Sequence, residues 1–169
     1  VVRAAAHWLT PRVRAWRRAG TLIDARAQQI FVRDQTGSGP PVLLLHGYPS
    51  SSYDWRHLFE QLPQQRLIGF DFLGFGLSDK PREHVYSLLG QADLAEAIAS
   101  RLGDGPILLV AHDMGTSVAT ELLARDLGGN LPFELAGVLL FNGSMVIERA
   151  SLTISQKLLR SRLGPVVAR

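Results

Sequence analysis

A single aspartate stands between a strand-like and a helix-like segment of the sequence. An apolar run ends at Ala111, the turn His-Asp-Met-Gly follows, and a helical pattern extends over residues 115–127. A strand–turn–helix of this kind presents its central side chain on a tight elbow, which requires small residues two positions before and after the apex. Ala111 and Gly115 meet this requirement around Asp113. We therefore predict that Asp113 stands at the apex, where its carboxylate can act as a nucleophile.

Two other interpretations of this turn are open at this point. Aspartate is a favoured helix N-cap, so Asp113 could simply cap the helix that follows it. The segment Gly-Thr-Ser-Val-Ala, residues 115–119, resembles a relaxed serine elbow. Its serine, Ser117, lies one helical turn beyond the end of the strand, and for that reason we favour Asp113.

A second motif follows another buried strand. Residues 42–46 form the continuous run VLLLH, which is typical of a strand covered on both faces, and the sequence continues as Gly47-Tyr48-Pro49. A backbone N–H in this position can point at a reacting oxygen. Because parallel strands end at one edge of their sheet, where binding sites lie, this motif and Asp113 are expected to form one site.

The order of the predicted elements indicates the fold class. After an opening hairpin, strands and helices alternate, which predicts an α/β protein with a mostly parallel, doubly wound sheet and helices on both faces. The predicted strands are residues 21–25, 28–33, 42–46, 66–71, 106–111 and 134–142, the predicted helices are residues 55–63, 88–102, 115–127 and 150–162, and the predicted loops are residues 36–41 and 74–83. The last of these strands is expected to leave an exposed apolar edge.

The composition excludes several classes of chemistry. The chain has 169 residues, of which 46% are hydrophobic and 20% are charged, so we expect one folded domain. It contains no cysteine, which excludes disulfides, cysteine metal ligands and a cysteine nucleophile. No motif predicts a metal or a cofactor. No apolar run reaches the roughly 20 residues that span a bilayer, and with no cysteine and no signal peptide we expect a cytoplasmic protein.

The net charge of +3 is concentrated near the N-terminus. Residues 1–33 hold seven arginines and one aspartate, so the basic character belongs mainly to an N-terminal arm, residues 1–20. This distribution does not favour nucleic-acid binding by the folded body. We expect the arm to be a surface helix that packs one face on the domain and is broken near Pro11. A helix that binds a membrane surface is the alternative.

Three segments together resemble a known family. The segments HGYPSSSYDW (residues 46–55), DFLGFGLSDKP (residues 71–81) and AHDMG (residues 111–115) are similar to the α/β-hydrolase superfamily. They resemble its aspartate-nucleophile branch, which includes epoxide hydrolases and haloalkane dehalogenases, and within it the mesoderm-specific transcript protein group. The resemblance covers about residues 21–169. It implies that residues 21–142 form the N-terminal part of the hydrolase core and that residues 143–169 begin a cap region.

The resemblance also implies roles for individual residues. Asp113 matches the nucleophile, and the backbone N–H groups of Tyr48 and Met114 match the oxyanion hole. The residues expected to shape the site are His46, Gly47, Pro49, His112, Gly115 and Asn142. The implied partner is a small apolar electrophile such as an epoxide or an alkyl halide, and neither a metal nor a cofactor is implied.

Two departures from the dehalogenase pattern narrow the choice of electrophile. Dehalogenases of this branch cradle the halide with side-chain N–H groups at the positions that Tyr48 and Met114 occupy here. Neither side chain supplies such a donor, whereas epoxide hydrolases accept an aromatic residue at position 48. We therefore predict an epoxide-hydrolase-like enzyme that forms an alkyl-enzyme ester. The alternatives are a haloalkane dehalogenase and a non-catalytic binding domain.

Two further catalytic groups of the family are missing from the sequence. No histidine follows His112, so the general base that hydrolyses the ester has no counterpart here. Asn142 falls where some dehalogenases carry the catalytic acid, and an amide cannot serve as that acid. We therefore expect the chain to be part of a longer hydrolase and to be incapable of turnover alone.

The remaining polar and aromatic residues receive structural interpretations. Asp71 is expected to order a loop, and Gly74-Phe75-Gly76 is predicted to form a tight turn rather than a phosphate-binding loop. Trp55 is expected in the core, with a position lining the pocket as the alternative. His57 and His84 are expected on the surface.

Overall fold

The computed structural model describes residues 9–103 and 105–143. No helix in these two ranges has the length and apolar character needed to cross a membrane. The strands are β1 (Thr21–Ala25), β2 (Gln28–Gln35), β3 (Ser38–Leu45), β4 (Gln65–Phe70), β5 (Ile107–His112) and β6 (Leu135–Phe141). The helices are α1 (Pro11–Arg18), α2 (Arg56–Gln61), α3 (Leu88–Leu102) and α4 (Met114–Leu127), with a 3₁₀ helix over Ser52–Trp55.

The six strands form one mixed sheet in the order β1-β2-β4-β3-β5-β6. The hairpin strand β2 runs antiparallel to β1 and to β4, while β4, β3, β5 and β6 are parallel to one another. The predicted fold class is therefore confirmed. Because β3, β4, β5 and β6 are parallel, their carboxyl ends meet at one edge of the sheet. Strand β6 lies at the outer end of the order, where Leu139 is 58% exposed.

Alternate side chains of the central strand β3 enter two different apolar clusters. Leu43 and Leu45 pack with the apolar faces of α3 and α4, whereas Val42 and Leu44 pack with Trp16 of α1 and with the α2 side of the sheet. This alternation places helices on both faces. Three of these four side chains are completely buried, and burying each leucine contributes about 1.5–3 kcal/mol. The central strands are thereby fixed, and so is the edge at which they end.

Helix α1 packs one face on the sheet, as predicted for the N-terminal arm. The predicted break near Pro11 is wrong. Thr10 caps the helix by accepting a bond from a backbone N–H of the first turn, and Pro11 is the first helical residue. Proline is favoured there because its missing N–H would have no partner inside the helix. Proline therefore begins this helix instead of breaking it. Trp16 anchors the helix beneath the guanidinium of Arg33, 4.3 Å from the ring centre.

Two other predicted boundaries are wrong. The segment assigned to a loop, residues 36–41, contributes the start of β3 from Ser38, which pairs with Gln65 before the register shifts ahead of Val42. Gly39 takes a positive φ of 80° within this irregular stretch, so the glycine and proline content reflects a bulge and not a loop. The helix predicted over residues 55–63 is divided into the 3₁₀ helix and α2. The helix predicted over residues 150–162 lies outside the described residues.

Helix α4 is tied to α3 by one arginine. Arg125 forms ion pairs with Asp93, Glu96 and Glu121 at 2.8–2.9 Å, and its side chain is only 19% exposed. The hydrogen bond with Glu96 is the strongest of the influences that raise the pKa of Arg125. The network holds together the two helices that cover one face of the sheet. It thereby positions α4, whose first residue adjoins Asp113.

Candidate active site

A single residue, Asp113, connects β5 to α4. Its φ and ψ of 52° and −119° are strained values for a residue with a side chain. Gly115 allows this turn to approach the end of β3 closely. A Cβ at that position would lie 2.5 Å from the carbonyl oxygen of Leu45 and 2.8 Å from that of His46. A small residue therefore stands where the backbones of β3 and α4 meet.

Two backbone N–H groups from separate segments converge on one oxygen of Asp113. The N–H of Tyr48 donates to Oδ1 at 2.8 Å, and the N–H of Met114 donates to the same atom at 2.6 Å. Among the described residues, no group donates to Oδ2. Gly47 permits this close approach, since a Cβ there would lie 2.6 Å from the Asp113 Cβ. The carboxylate therefore has one restrained oxygen and one oxygen free for other contacts.

A helix cap explains only part of this arrangement. An N-cap aspartate has extended backbone angles and accepts from the second or third N–H of its helix. Asp113 has a positive φ and accepts from Met114, which is the first residue of α4. It also accepts from Tyr48, which lies 65 positions earlier in the chain. Capping alone requires neither the additional N–H donor nor the strained backbone at Asp113.

The loop of Gly47, Tyr48 and Pro49 is held by the buried ring of His46. Nε2 accepts from the backbone N–H of Phe72 at 3.0 Å, so the proton of the neutral ring belongs on Nδ1, which donates to the Gly47 carbonyl oxygen at 2.8 Å. The Ser50 hydroxyl donates to the same carbonyl oxygen at 3.0 Å. Because the C=O and N–H of a trans peptide point in opposite directions, fixing this carbonyl directs the Tyr48 N–H toward Asp113. His46 thus holds this loop in place.

Burial lowers the pKa of His46, although the bond with Gly47 and the charge of Asp71 oppose this shift. The unfolded chain therefore binds more protons than the native chain below the ordinary histidine pKa of about 6.5. We expect the free energy of unfolding to fall as the pH drops from 7.5 to 5.5, by at most about 1.4 kcal/mol per pH unit.

Urea unfolding at several pH values measures this dependence. A His46→Asn variant, which cannot titrate at this position, should lose most of it. The exposed His84 provides the matched control, and a His84→Gln variant should keep the slope of the original chain. An unchanged slope in His46→Asn would contradict the assignment.

Asp71, at the end of β4, orders the neighbouring loops as predicted. It is 1% exposed, and its Oδ1 accepts from the backbone N–H of Ser52 at 2.8 Å and from the Ser52 hydroxyl at 2.5 Å. Its Oδ2 accepts from the N–H of Leu77 at 2.6 Å. Gly74 and Gly76 both have positive φ, which agrees with the predicted tight turn. The turn carries the Phe75 ring to 6.0 Å from the Tyr48 ring, centre to centre.

A pocket of about 220 Å³ opens beside the elbow. Its lining residues are His46, Asp54, Trp55, His112 and Phe141. Trp55 combines the predicted core position with its alternative, because the half-buried ring packs on the apolar cluster of β3 and also lines this pocket. His112 lies against Phe141, with 5.2 Å between ring centres, and so faces the pocket.

The other residues singled out in the sequence differ in their exposure and in their position relative to Asp113. Asn142 is exposed with a φ of 56° and directly follows Phe141, whose carbonyl oxygen accepts from the Asp113 N–H at 3.3 Å. Pro49 is exposed next to Tyr48, and Ser117 is half-buried within α4. His57 and His84 are exposed, as predicted. No sequence pattern indicates the contacts of Phe75 with Tyr48 and His46, because they join loops that are far apart in the chain.

Several known proteins are similar in sequence. Residues 40–161 match the family model of the alpha/beta hydrolase fold. A putative hydrolase, LipZ, of Mycobacterium tuberculosis is 55% identical over 95% of this chain and 56% of its own length. The mesoderm-specific transcript homolog protein of Homo sapiens is 40% identical over 95% of this chain and 51% of its own length. A soluble epoxide hydrolase of Corynebacterium sp. is 39% identical over 49% of this chain and 29% of its own length.

A solved structure agrees with these matches. The haloalkane dehalogenase DatA from Agrobacterium tumefaciens C58 has a TM-score of 0.61 and 32% identity, over 73% of this chain and 40% of that chain. The chain spans about half the length of LipZ and of the mesoderm-specific transcript homolog. The resemblance expected from the three sequence segments is confirmed: the chain belongs to the α/β-hydrolase fold family.

Proposed function

We propose that this chain carries the nucleophile and the oxyanion hole of a hydrolase that opens epoxides through an alkyl-enzyme ester. The observation that carries the proposal is the asymmetry of the Asp113 carboxylate. Its Oδ1 accepts two backbone N–H groups, while Oδ2 accepts none from the described residues. The restrained oxygen fixes the orientation of the carboxylate, and the other oxygen is available to attack.

The proposed first step is a displacement at a saturated carbon. A carboxylate is ionised near neutral pH, so it needs no base to become a nucleophile. Oδ2 of Asp113 attacks a ring carbon of the epoxide, the carbon–oxygen bond of the ring breaks, and its electron pair remains on the oxygen. That oxygen then takes up a proton from water, and the product is a hydroxyalkyl ester of Asp113. A serine at the apex would instead favour attack on acyl carbons.

The two N–H donors serve a later step of the proposed reaction. When hydroxide or activated water attacks the ester carbonyl, negative charge develops on the oxygen that Tyr48 and Met114 already contact. Each such donor stabilises that transition state by about 3–4 kcal/mol. The step needs a base, and the sequence holds no histidine beyond His112. We therefore propose that the ester persists on this chain and that its hydrolysis needs a base from outside these 169 residues.

Two alternatives remain to be separated by experiment. Similarity to haloalkane dehalogenase DatA favours an alkyl halide as the electrophile, whereas the side chains of Tyr48 and Met114 lack the indole or amide donor that would bind a leaving halide. A non-catalytic binding domain would keep the fold without forming any ester. The strained backbone of Asp113 favours a catalytic use of this residue.

Intact mass spectrometry after incubation with 1,2-epoxybutane tests the proposal. We expect one covalent equivalent per chain, with the mass of the whole epoxide, and no release of diol over successive equivalents. The urea-unfolded chain provides the background rate of carboxylate labelling. Labelling no faster than this background would contradict the proposed nucleophile, and steady multiple turnover would contradict the absence of a base.

A further inference from the structure

We infer that Lys80 is a positioning residue for the reaction of Asp113. Its ammonium group holds the tight turn of residues 74–78 in shape, and this turn supports the two residues that aim a backbone N–H at the carboxylate. The inference rests on the proposed function, because the effect is expected in the rate at which Asp113 opens an epoxide. Lys80 acts through other residues and does not itself react.

The ammonium group of Lys80 binds the backbone of this turn through three hydrogen bonds. Nζ donates to the carbonyl oxygens of Phe75 at 3.2 Å, Gly76 at 2.8 Å and Ser78 at 2.9 Å. A lysine ammonium group has three N–H donors and no acceptor, so three carbonyl oxygens match its capacity. Partial burial lowers the pKa of Lys80, against the charges of nearby carboxylates, which agrees with an ammonium group drawn into the turn.

Three carbonyl groups that face one point repel one another unless a cation lies between them. The negative ends of their dipoles converge, and hydrogen bonds from an ionised donor to such oxygens are the strong ones. The convergence follows from the tight winding of the turn, in which Gly76 has a φ of 48° and the Ser78 N–H donates to the Phe75 carbonyl oxygen at 3.1 Å. Removal of the ammonium group should therefore relax the turn at Phe75.

The turn reaches the candidate site through the side chain of Phe75. Its ring lies edge to face against the rings of His46 and Tyr48, at 5.7 Å and 6.0 Å between centres. His46 fixes the loop that directs Tyr48, and the Tyr48 N–H donates to Asp113 Oδ1 at 2.8 Å. The residue whose carbonyl oxygen Lys80 binds thus packs against both residues that place this N–H.

Arg82 provides a comparison with a cation that does not bind the turn. It is exposed and lies two positions beyond Lys80, and its side chain forms no hydrogen bond or ion pair with the other described residues. Replacement of Arg82 therefore removes one positive charge close by in the chain, and the carbonyl oxygens of the turn keep their partner.

Chemical restoration of the ammonium group tests the inference, because the chain has no cysteine of its own. The thiolate of a Lys80→Cys variant displaces bromide from 2-bromoethylamine, which rebuilds an ammonium side chain of the length of lysine. With 2-bromoethanol it gives a neutral side chain of equal length. Tandem mass spectrometry confirms that the addition lies at residue 80 and not at Asp113.

The labelling of Asp113 by 1,2-epoxybutane is the first measurement. We expect Lys80→Cys to slow it about tenfold, less than the roughly 100-fold cost of a misplacement of about 1 Å. Aminoethylation should restore the original rate, and hydroxyethylation should not. A Lys80→Gln variant, which keeps N–H donors without the charge, gives a second comparison and should be slowed as well.

The backbone amide resonance of Tyr48 measures the position of its N–H separately from the reaction. In a nitrogen–proton correlation spectrum we expect this resonance to shift in Lys80→Cys, to return on aminoethylation and to stay displaced after hydroxyethylation. Arg82→Cys is the matched control. Its labelling rate and its Tyr48 resonance should remain those of the original chain before and after each alkylation.

Several outcomes would overturn the inference. An unchanged rate and resonance in Lys80→Cys and Lys80→Gln would show that the turn keeps its shape without the ammonium group. Equal recovery with both reagents would show that the length of the side chain matters and its charge does not, and recovery with neither would contradict the role of the charge as well. Failure of the original chain to label Asp113 would instead refute the proposed nucleophile, and the Tyr48 resonance would still decide the positioning role.

Discussion

Replacement of Asp113 by asparagine is expected to abolish the covalent epoxide adduct while leaving the fold intact. The amide nitrogen and oxygen are far weaker nucleophiles than a carboxylate, so labelling should fall to the background of the unfolded chain. The amide oxygen can still accept from the N–H groups of Tyr48 and Met114, which now donate to Oδ1. Asparagine also tolerates a positive φ better than most residues, so the strained angle of 52° should survive.

Intact mass spectrometry and thermal unfolding together measure this result. Asp54 lines the adjacent pocket and is exposed, so an Asp54→Asn variant provides a matched carboxylate-to-amide control. The control should label at the original rate, and both variants should keep a melting temperature close to that of the original chain. An adduct that forms at full rate on Asp113→Asn would show that another side chain is the nucleophile.

Replacement of Gly115 by alanine is expected to damage both stability and reactivity. The added Cβ would lie 2.5 Å from the Leu45 carbonyl oxygen and 2.8 Å from the His46 carbonyl oxygen. Both obstacles are backbone atoms of a buried strand end, so α4 or the oxyanion loop must move. Overpacking of this kind costs about 1–3 kcal/mol. A shift of about 1 Å between Asp113 and the Tyr48 N–H should slow labelling about 100-fold.

Urea unfolding and the labelling rate with 1,2-epoxybutane measure the two effects separately. Gly90 provides the control, because it is also helical and its added Cβ would meet only the Ser87 hydroxyl, at 3.2 Å. Gly90→Ala should retain the stability and the labelling rate of the original chain. If Gly115→Ala matched Gly90→Ala in both measurements, the close contact of β3 with α4 would not be needed for the site.

Much of the fold was predictable because its central strands are continuous apolar runs. The stretches that became β3 and β5 are covered on both faces, and such burial requires apolar residues at successive positions. The prediction failed at Ser38, where a glycine- and proline-containing stretch pairs with Gln65 through a bulge. Sequence patterns report residue preferences, and here the pairing with a distant strand overrides them.

The candidate site was predictable in its residue types and not in its interactions. The spacing of Ala111, Asp113 and Gly115 predicts the elbow, since steric crowding leaves a signature within five residues. The bond from Phe72 to the His46 ring joins segments 26 positions apart and has no such local signature. The mixed role of Trp55, packed on one side and open to a pocket on the other, likewise depends on strands that assemble from distant parts of the chain.

Fragmentation of the labelled protein tests the proposed nucleophile most directly. After incubation with 1,2-epoxybutane, the chain is digested at low pH to preserve the ester, and tandem mass spectrometry assigns the modified residue. We expect the mass of the epoxide on Asp113 in a single peptide, at close to one equivalent. An adduct on His112 or Asp54, or one spread over several carboxylates, would contradict an ester-forming nucleophile at the elbow.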